Sequence, residues 1–118
     1  MKLETLLKLQ VLYCALGAAY HIAGFVAGPL LATRPAAGLA VMLVYGLFLV
    51  PGFMGKVTLY RALMGVALLA LGYGGVMVHV MNYARMDLYL ARWAWALAIG
   101  INLFGAVLNA MAVFRRFR

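Results

Sequence analysis

Charge interrupts this chain only at wide intervals. Lys8, Arg34, Lys56, Arg61, Arg85, Arg92 and Arg115 bound four uncharged runs, residues 9–33, 35–55, 62–84 and 93–114, each of at least 21 residues. A helix needs about 20 apolar residues to cross roughly 30 Å of hydrocarbon, and there it pairs every backbone N–H and C=O internally. The pattern predicts membrane-spanning helices at about 9–31, 37–54, 60–83 and 93–114. A transmembrane barrel would need alternating polarity in segments of about 10 residues, and no such series is present. Short links between the runs predict an all-α, up-down-up-down four-helix transmembrane bundle, a single domain over residues 1–118.

Breakers and caps mark the ends of these spans. Leu3, Leu6 and Leu7 alternate with Lys2, Glu4 and Lys8, which predicts an interfacial helical turn leading into the first span. Gly28-Pro29 is expected to end that span and Pro51-Gly52 the second, because proline disfavours helical geometry in the residue before it. The link Asn82–Trp95 holds Tyr83, Tyr89, Trp93 and Trp95, expected as an aromatic belt at a membrane surface. The first run is too long for the apolar core of a signal peptide and contains His21, so it is expected to be a retained span.

Composition sharpens the class. With 69% hydrophobic residues, the chain lacks the polar surface to cover a soluble globule, and lipid is its expected partner. Net charge is +8, with seven cations (Lys2, Lys8, Lys56, Arg61, Arg115, Arg116, Arg118) at the termini and second loop. Three (Arg34, Arg85, Arg92) lie in the other two loops. Lys and Arg are retained on the cytoplasmic side, so both termini are expected in the cytoplasm of a bacterial-type inner membrane. The positive charge then anchors to anionic lipid, and no basic aromatic module points to nucleic acid. Cys14 is the only cysteine and is expected to pack as a small apolar residue.

Two histidines lie within spans. Helical spacing puts Gly17, His21, Gly24 and Gly28 on one face of the first span, and Gly65, Gly72, Gly75, His79 and Asn82 on one face of the third. Small residues let helices approach closely. They also leave room for a flat ligand such as haem b or another pigment, held by His21 and His79 with Gly17, Gly24, Gly72 and Gly75 lining the site. Against this stands depth: measured from Lys8 and Arg61, the histidines differ by five residues, roughly 7 Å. The commoner role of a polar side chain in a span is a hydrogen bond to a neighbouring helix. Asn102, Gly105 and Asn109 form a third stripe, expected to face inward or toward another subunit.

Absences matter as well. Glu4 and Asp87 are the only acids, both at membrane edges, and serine is missing. This leaves no intramembrane carboxylate for proton coupling, no acid–base pair, no oxygen-rich metal cage and no hydroxyl nucleophile for a catalytic site. A four-span small multidrug transporter is similar in size, yet relies on a glutamate within its first span. The leading expectation is a non-catalytic membrane subunit that packs with other subunits or with itself in a larger, respiratory or photosynthetic, complex. The alternatives are a bis-His haem or pigment electron carrier, and a homo-oligomeric transporter or channel with Asn102, Asn109 and the histidines along its path.

Overall fold

The computed structural model describes residues 1–118 and contains helices and turns, without strands. In chain order these are α1 (Leu3–Ala27), α2 (Pro35–Phe53), α3 (Val57–Leu71), a π-helical segment (Gly72–Met77) and α4 (Val78–Met81). Two 3-10 turns (Asn82–Ala84 and Met86–Leu88) lead to α5 (Arg92–Val113). The stretch Val57–Ala84 runs on as one rod of 28 residues, so four helices are long and apolar enough to cross a membrane. The chain is therefore a multi-pass membrane protein by helix length and composition.

α1 begins six residues earlier than the expected span, at Leu3, and the reason lies in its first two turns. Leu6 and Leu7 are almost fully buried, and Glu4 meets Lys8 at 2.8 Å one turn on, so the interfacial turn is continuous with the span. At its other end α1 stops at Ala27, because Gly28 takes φ 91°, a left-handed conformation open to glycine, while its N–H returns to the carbonyl of Gly24. Pro35 opens α2, where its missing N–H leaves nothing unpaired. α2 continues through Pro51 to Phe53 instead of breaking at Pro51-Gly52. Proline in a final turn removes a single bond, and the turn closes with Met54 N–H on Val50 and Lys56 N–H on Pro51.

α1 packs against α2 and α5, and α3 packs against the same two helices. The two chain ends are tied together, Leu3 N–H to Arg118 O at 3.2 Å and Arg118 N–H to Met1 O at 2.9 Å. At the opposite end of α1, Leu90 N–H bonds Leu30 O at 2.9 Å, joining the first and third loops. Near the chain termini, Tyr60 meets the ring of Phe117, and the Arg61 guanidinium donates twice to Val113 O, closing an open carbonyl at the end of α5.

The core differs from that of a soluble bundle. Beside Leu6, Leu49 and Met64 it encloses Tyr13, Tyr60, Gln10 and Asn109, each at most 2% exposed. In lipid, apolar side chains gain nothing by turning inward, so interior polar groups that bond across helices are what hold the spans together, at roughly 1 kcal/mol per bond. Outward faces carry the large apolar residues, Val26, Leu43, Leu69 and Tyr73 among them.

Candidate ligand pocket

The pocket is built on a buried polar layer toward the end of the molecule that holds the termini. Gln10 of α1 stands at its centre. Its Oε1 accepts from the Tyr60 hydroxyl, and its Nε2 donates to Met64 Sδ at 3.1 Å and to Asn109 Oδ1 at 3.2 Å. The Tyr45 hydroxyl donates to the same Asn109 oxygen at 2.6 Å. All four helical rods contribute, and the only buried amide atom left without a partner is Asn109 Nδ2. Tyr13 stands edge-on to Tyr45, ring centroids 5.1 Å apart. A side chain at Gly105 would overlap the Tyr13 ring, so glycine there is what lets α5 close on α1.

Above this layer lies a cavity of about 500 Å³. Tyr45 and Asn109 border it at the buried layer, Phe48, Val66, Ala67 and Ile101 form its walls, and His21 and His79 border it toward the loops. A second, outer cavity of about 820 Å³ shares Tyr20, His21, Gly38, Val41, Gly74 and His79 with the first. It runs out to Arg34, Asn82 and Asp87. The two form one recess through these shared residues, and beneath its Tyr45 and Asn109 end pack Leu6, Gln10, Leu49, Tyr60 and Met64, all at most 2% exposed.

The third rod changes its winding beside this recess. Through the π-helical segment the hydrogen bonds skip one residue further than in an α-helix, which widens the coil where Gly74 and Gly75 border the cavity. Asn102 of α5 donates to Gly75 O at 3.1 Å, and a Cβ at Gly75 would come within 2.9 Å of the Asn102 amide carbon. The glycines of the third rod thus admit a neighbouring side chain and border the recess at one place.

The two histidines have unlike settings. His21 lays its imidazole on the bare backbone of Gly38 in α2, where any Cβ would collide with the ring, and Tyr20 stands edge-on to it at 5.5 Å. Its Nδ1 is buried without a partner. His79 Nδ1 lies 2.7 Å from the Tyr89 hydroxyl, whose oxygen also receives Asn82 Nδ2 at 3.3 Å. Trp95 Nε1–H reaches the His79 carbonyl at 2.8 Å and pins the start of α5 to α4. At the rim Asp87 is exposed and paired with Arg85 at 3.2 Å, whose hydrogen bonds hold the carboxyl below its ordinary range.

Of the residues singled out from the sequence, His21, His79, Asn102, Asn109, Gly17 and Gly75 all border the inner cavity. Gly24 does not: it faces Ala32 and Pro35, making room for the first loop. Gly72 has no atom within 4 Å of where a side chain would begin, and it does not border the cavity. Both histidines border the inner and the outer cavity, His21 from α1 and His79 from α4. Sequence reasoning missed Gln10, Tyr13, Tyr45, Tyr60 and Tyr89. Gln10 and Tyr13 carried a signal in their three-residue spacing on the first helix, whereas Tyr45 and Tyr60 read as apolar positions. The aromatic link also divides: Tyr83 and Trp93 are exposed, while Tyr89 and Trp95 turn in toward His79.

Comparison with protein families, with curated proteins and with solved structures gave no match to this chain.

Proposed function

We propose that the chain is a non-catalytic membrane protein that holds a lipophilic small molecule in the recess between its helices. On this reading it is an up-down-up-down four-helix bundle in a bacterial-type inner membrane. Its termini lie in the cytoplasm, where the larger share of Lys and Arg sits, and the recess opens on the opposite face. A largely apolar concavity with a few convergent polar groups is the usual form of a small-molecule site. The observation that carries the reading is Asn109, a residue bordering the inner cavity whose Nδ2 is a buried donor without a partner. An unmet buried donor costs about 1–3 kcal/mol, a cost that an occupant would remove.

The closed floor speaks for binding over conduction, since a channel or transporter path must reach both faces. Haem is less well supported at His79. An iron-ligating imidazole usually donates from its other nitrogen to a carboxylate, a carbonyl or water, whereas His79 Nδ1 meets the Tyr89 hydroxyl, itself a donor. Filling the recess tests the proposal. The wild-type protein, purified from its native membranes, is expected to release a small molecule on organic extraction, read by mass spectrometry. Ala67→Phe is expected to release none while keeping its unfolding midpoint. Equal release from both, or none from either, overturns the proposal.

A second reading, a subunit packing within a larger respiratory or photosynthetic assembly or against its own copies, is favoured by Gly72 and Gly100. Neither has an atom within 4 Å of its would-be Cβ, so each offers a close approach to a helix from another chain. Gly100→Leu is expected to lower the mass of the detergent-solubilised particle. An unchanged mass that equals one chain would remove this reading.

A further inference from the structure

We infer that the occupant of the recess is neutral and seats a carbonyl oxygen on Asn109, with a quinone ring as the membrane-soluble chemistry that fits. The inference rests on the pocket reading above and follows from the direction of the hydrogen bonds in the buried layer. A thioether sulfur is an acceptor only, so Met64 fixes the nitrogen of the Gln10 amide on the side that faces both Met64 and Asn109. The Asn109 atom opposite that nitrogen is then its oxygen, which also receives the Tyr45 hydroxyl. What remains for an occupant is the amide nitrogen, a donor, so the group that satisfies it is an acceptor.

The mouth shows the same polarity. Asn82 donates to the Tyr89 oxygen, and the Tyr89 hydroxyl is then free to donate to His79 Nδ1. The proton of the neutral imidazole then sits on Nε2, which has no protein partner. Asn102 also borders the inner cavity and gives one of its two amide N–H groups to Gly75 O.

Charge sets the other limit. None of the residues bordering the inner cavity is Lys, Arg, Asp or Glu, so neither an anionic nor a cationic head would find a counter-charge there. Aromatic rings, Tyr13, Tyr45 and Phe48, border it instead and suit a flat ring by edge and face contacts. At the helical rise the donor of Asn109 lies roughly 16 Å deeper than His79. A ring seated on Asn109 therefore lies well below the histidines, and its tail runs past them toward the outer cavity.

The test uses the purified full chain in lipid nanodiscs with two probes of like hydrophobicity, a decyl-substituted benzoquinone with isotope-labelled carbonyls and decylbenzene. The quinone is expected to bind at least about tenfold more tightly, and one labelled carbonyl band to move to lower frequency in the infrared difference spectrum. Asn109→Leu is expected to weaken quinone binding roughly tenfold, to leave decylbenzene unchanged and to return the band to its unbound position. Equal affinity for the two probes, or an unshifted carbonyl in the wild-type protein, overturns the carbonyl seat while leaving a lipophilic pocket in place. The wild-type spectrum decides even if Asn109→Leu does not fold. Failure of both probes to bind, with Ala67→Phe indistinguishable from wild type, overturns the pocket reading itself.

Discussion

The imidazole of His21 lies flat on the backbone of Gly38, so closely that even a methyl group at position 38 would occupy the space of the ring. This pair joins α1 to α2 and forms one side of the constriction between the inner and outer cavities, since both residues border both. Overpacking at such a contact costs about 1–3 kcal/mol. Gly38→Ala is expected to lower the midpoint of thermal unfolding in detergent, and His21→Ala in the same chain to restore most of the loss. Equal losses in the single and double variants would place the strain somewhere other than the His21 ring.

Tyr13 and Gly105 make a similar contact between α1 and α5, with a tyrosine that does not share the mobility of an open surface side chain. Gly105→Val is expected to destabilise by about 1–3 kcal/mol or to prevent recovery of folded protein. Gly74→Ala, on the third rod where nothing stands in the way, is expected to change the midpoint little. Measurement of the two midpoints side by side checks the difference.

Gln10 holds two donors and one acceptor in the buried layer, and its removal leaves the Tyr60 hydroxyl without an acceptor and the Asn109 oxygen with Tyr45 alone. Gln10→Leu is expected to cost about 1–3 kcal/mol. Combining it with Asn109→Leu should cost less than the two single losses together, because both remove the one Gln10–Asn109 bond. Strictly additive midpoints would show that the layer does not act as one network.

With the Tyr89 hydroxyl 2.7 Å from His79 Nδ1, the bonding inferred for the mouth makes Tyr89 the group that sets which nitrogen of His79 carries the proton. Tyr89→Phe is expected to release that preference, read as a shift toward mixed tautomers in the nitrogen NMR spectrum of labelled histidine. His21, which has no such partner, should keep its resonances. A His79 spectrum unmoved by Tyr89→Phe would break the chain of bonds on which the polarity of the mouth depends.

The extent to which the sequence foretold this molecule follows from the kind of signal each part leaves. Spans are legible because hydrocarbon tolerates neither charge nor open backbone, so the fences at Lys8, Arg34, Lys56 and Arg92 bracket them. Helix ends are less so: Pro51 reads as a stop, yet two more residues, Gly52 and Phe53, continue α2 by way of bonds formed beyond it. Among site residues, His21, His79, Asn102 and Asn109 stood out because polarity is rare in a span. Tyr45 and Tyr60 did not, since a tyrosine counts as apolar until the position of its hydroxyl is known. The π-helical turn left only a dense run of glycine at Gly72, Gly74 and Gly75, which by itself does not distinguish a widened coil from a close helix contact.

The sealed layer beneath the recess has an electrical side. In the proposed orientation, water entering from the loop end would carry the outside potential down as far as it reaches, and the voltage across the membrane would fall mainly over Leu6, Gln10, Leu49, Tyr60 and Met64. A neutral molecule enters and leaves without sensing that drop. An energised membrane can hold many copies of this protein without losing its gradient through them.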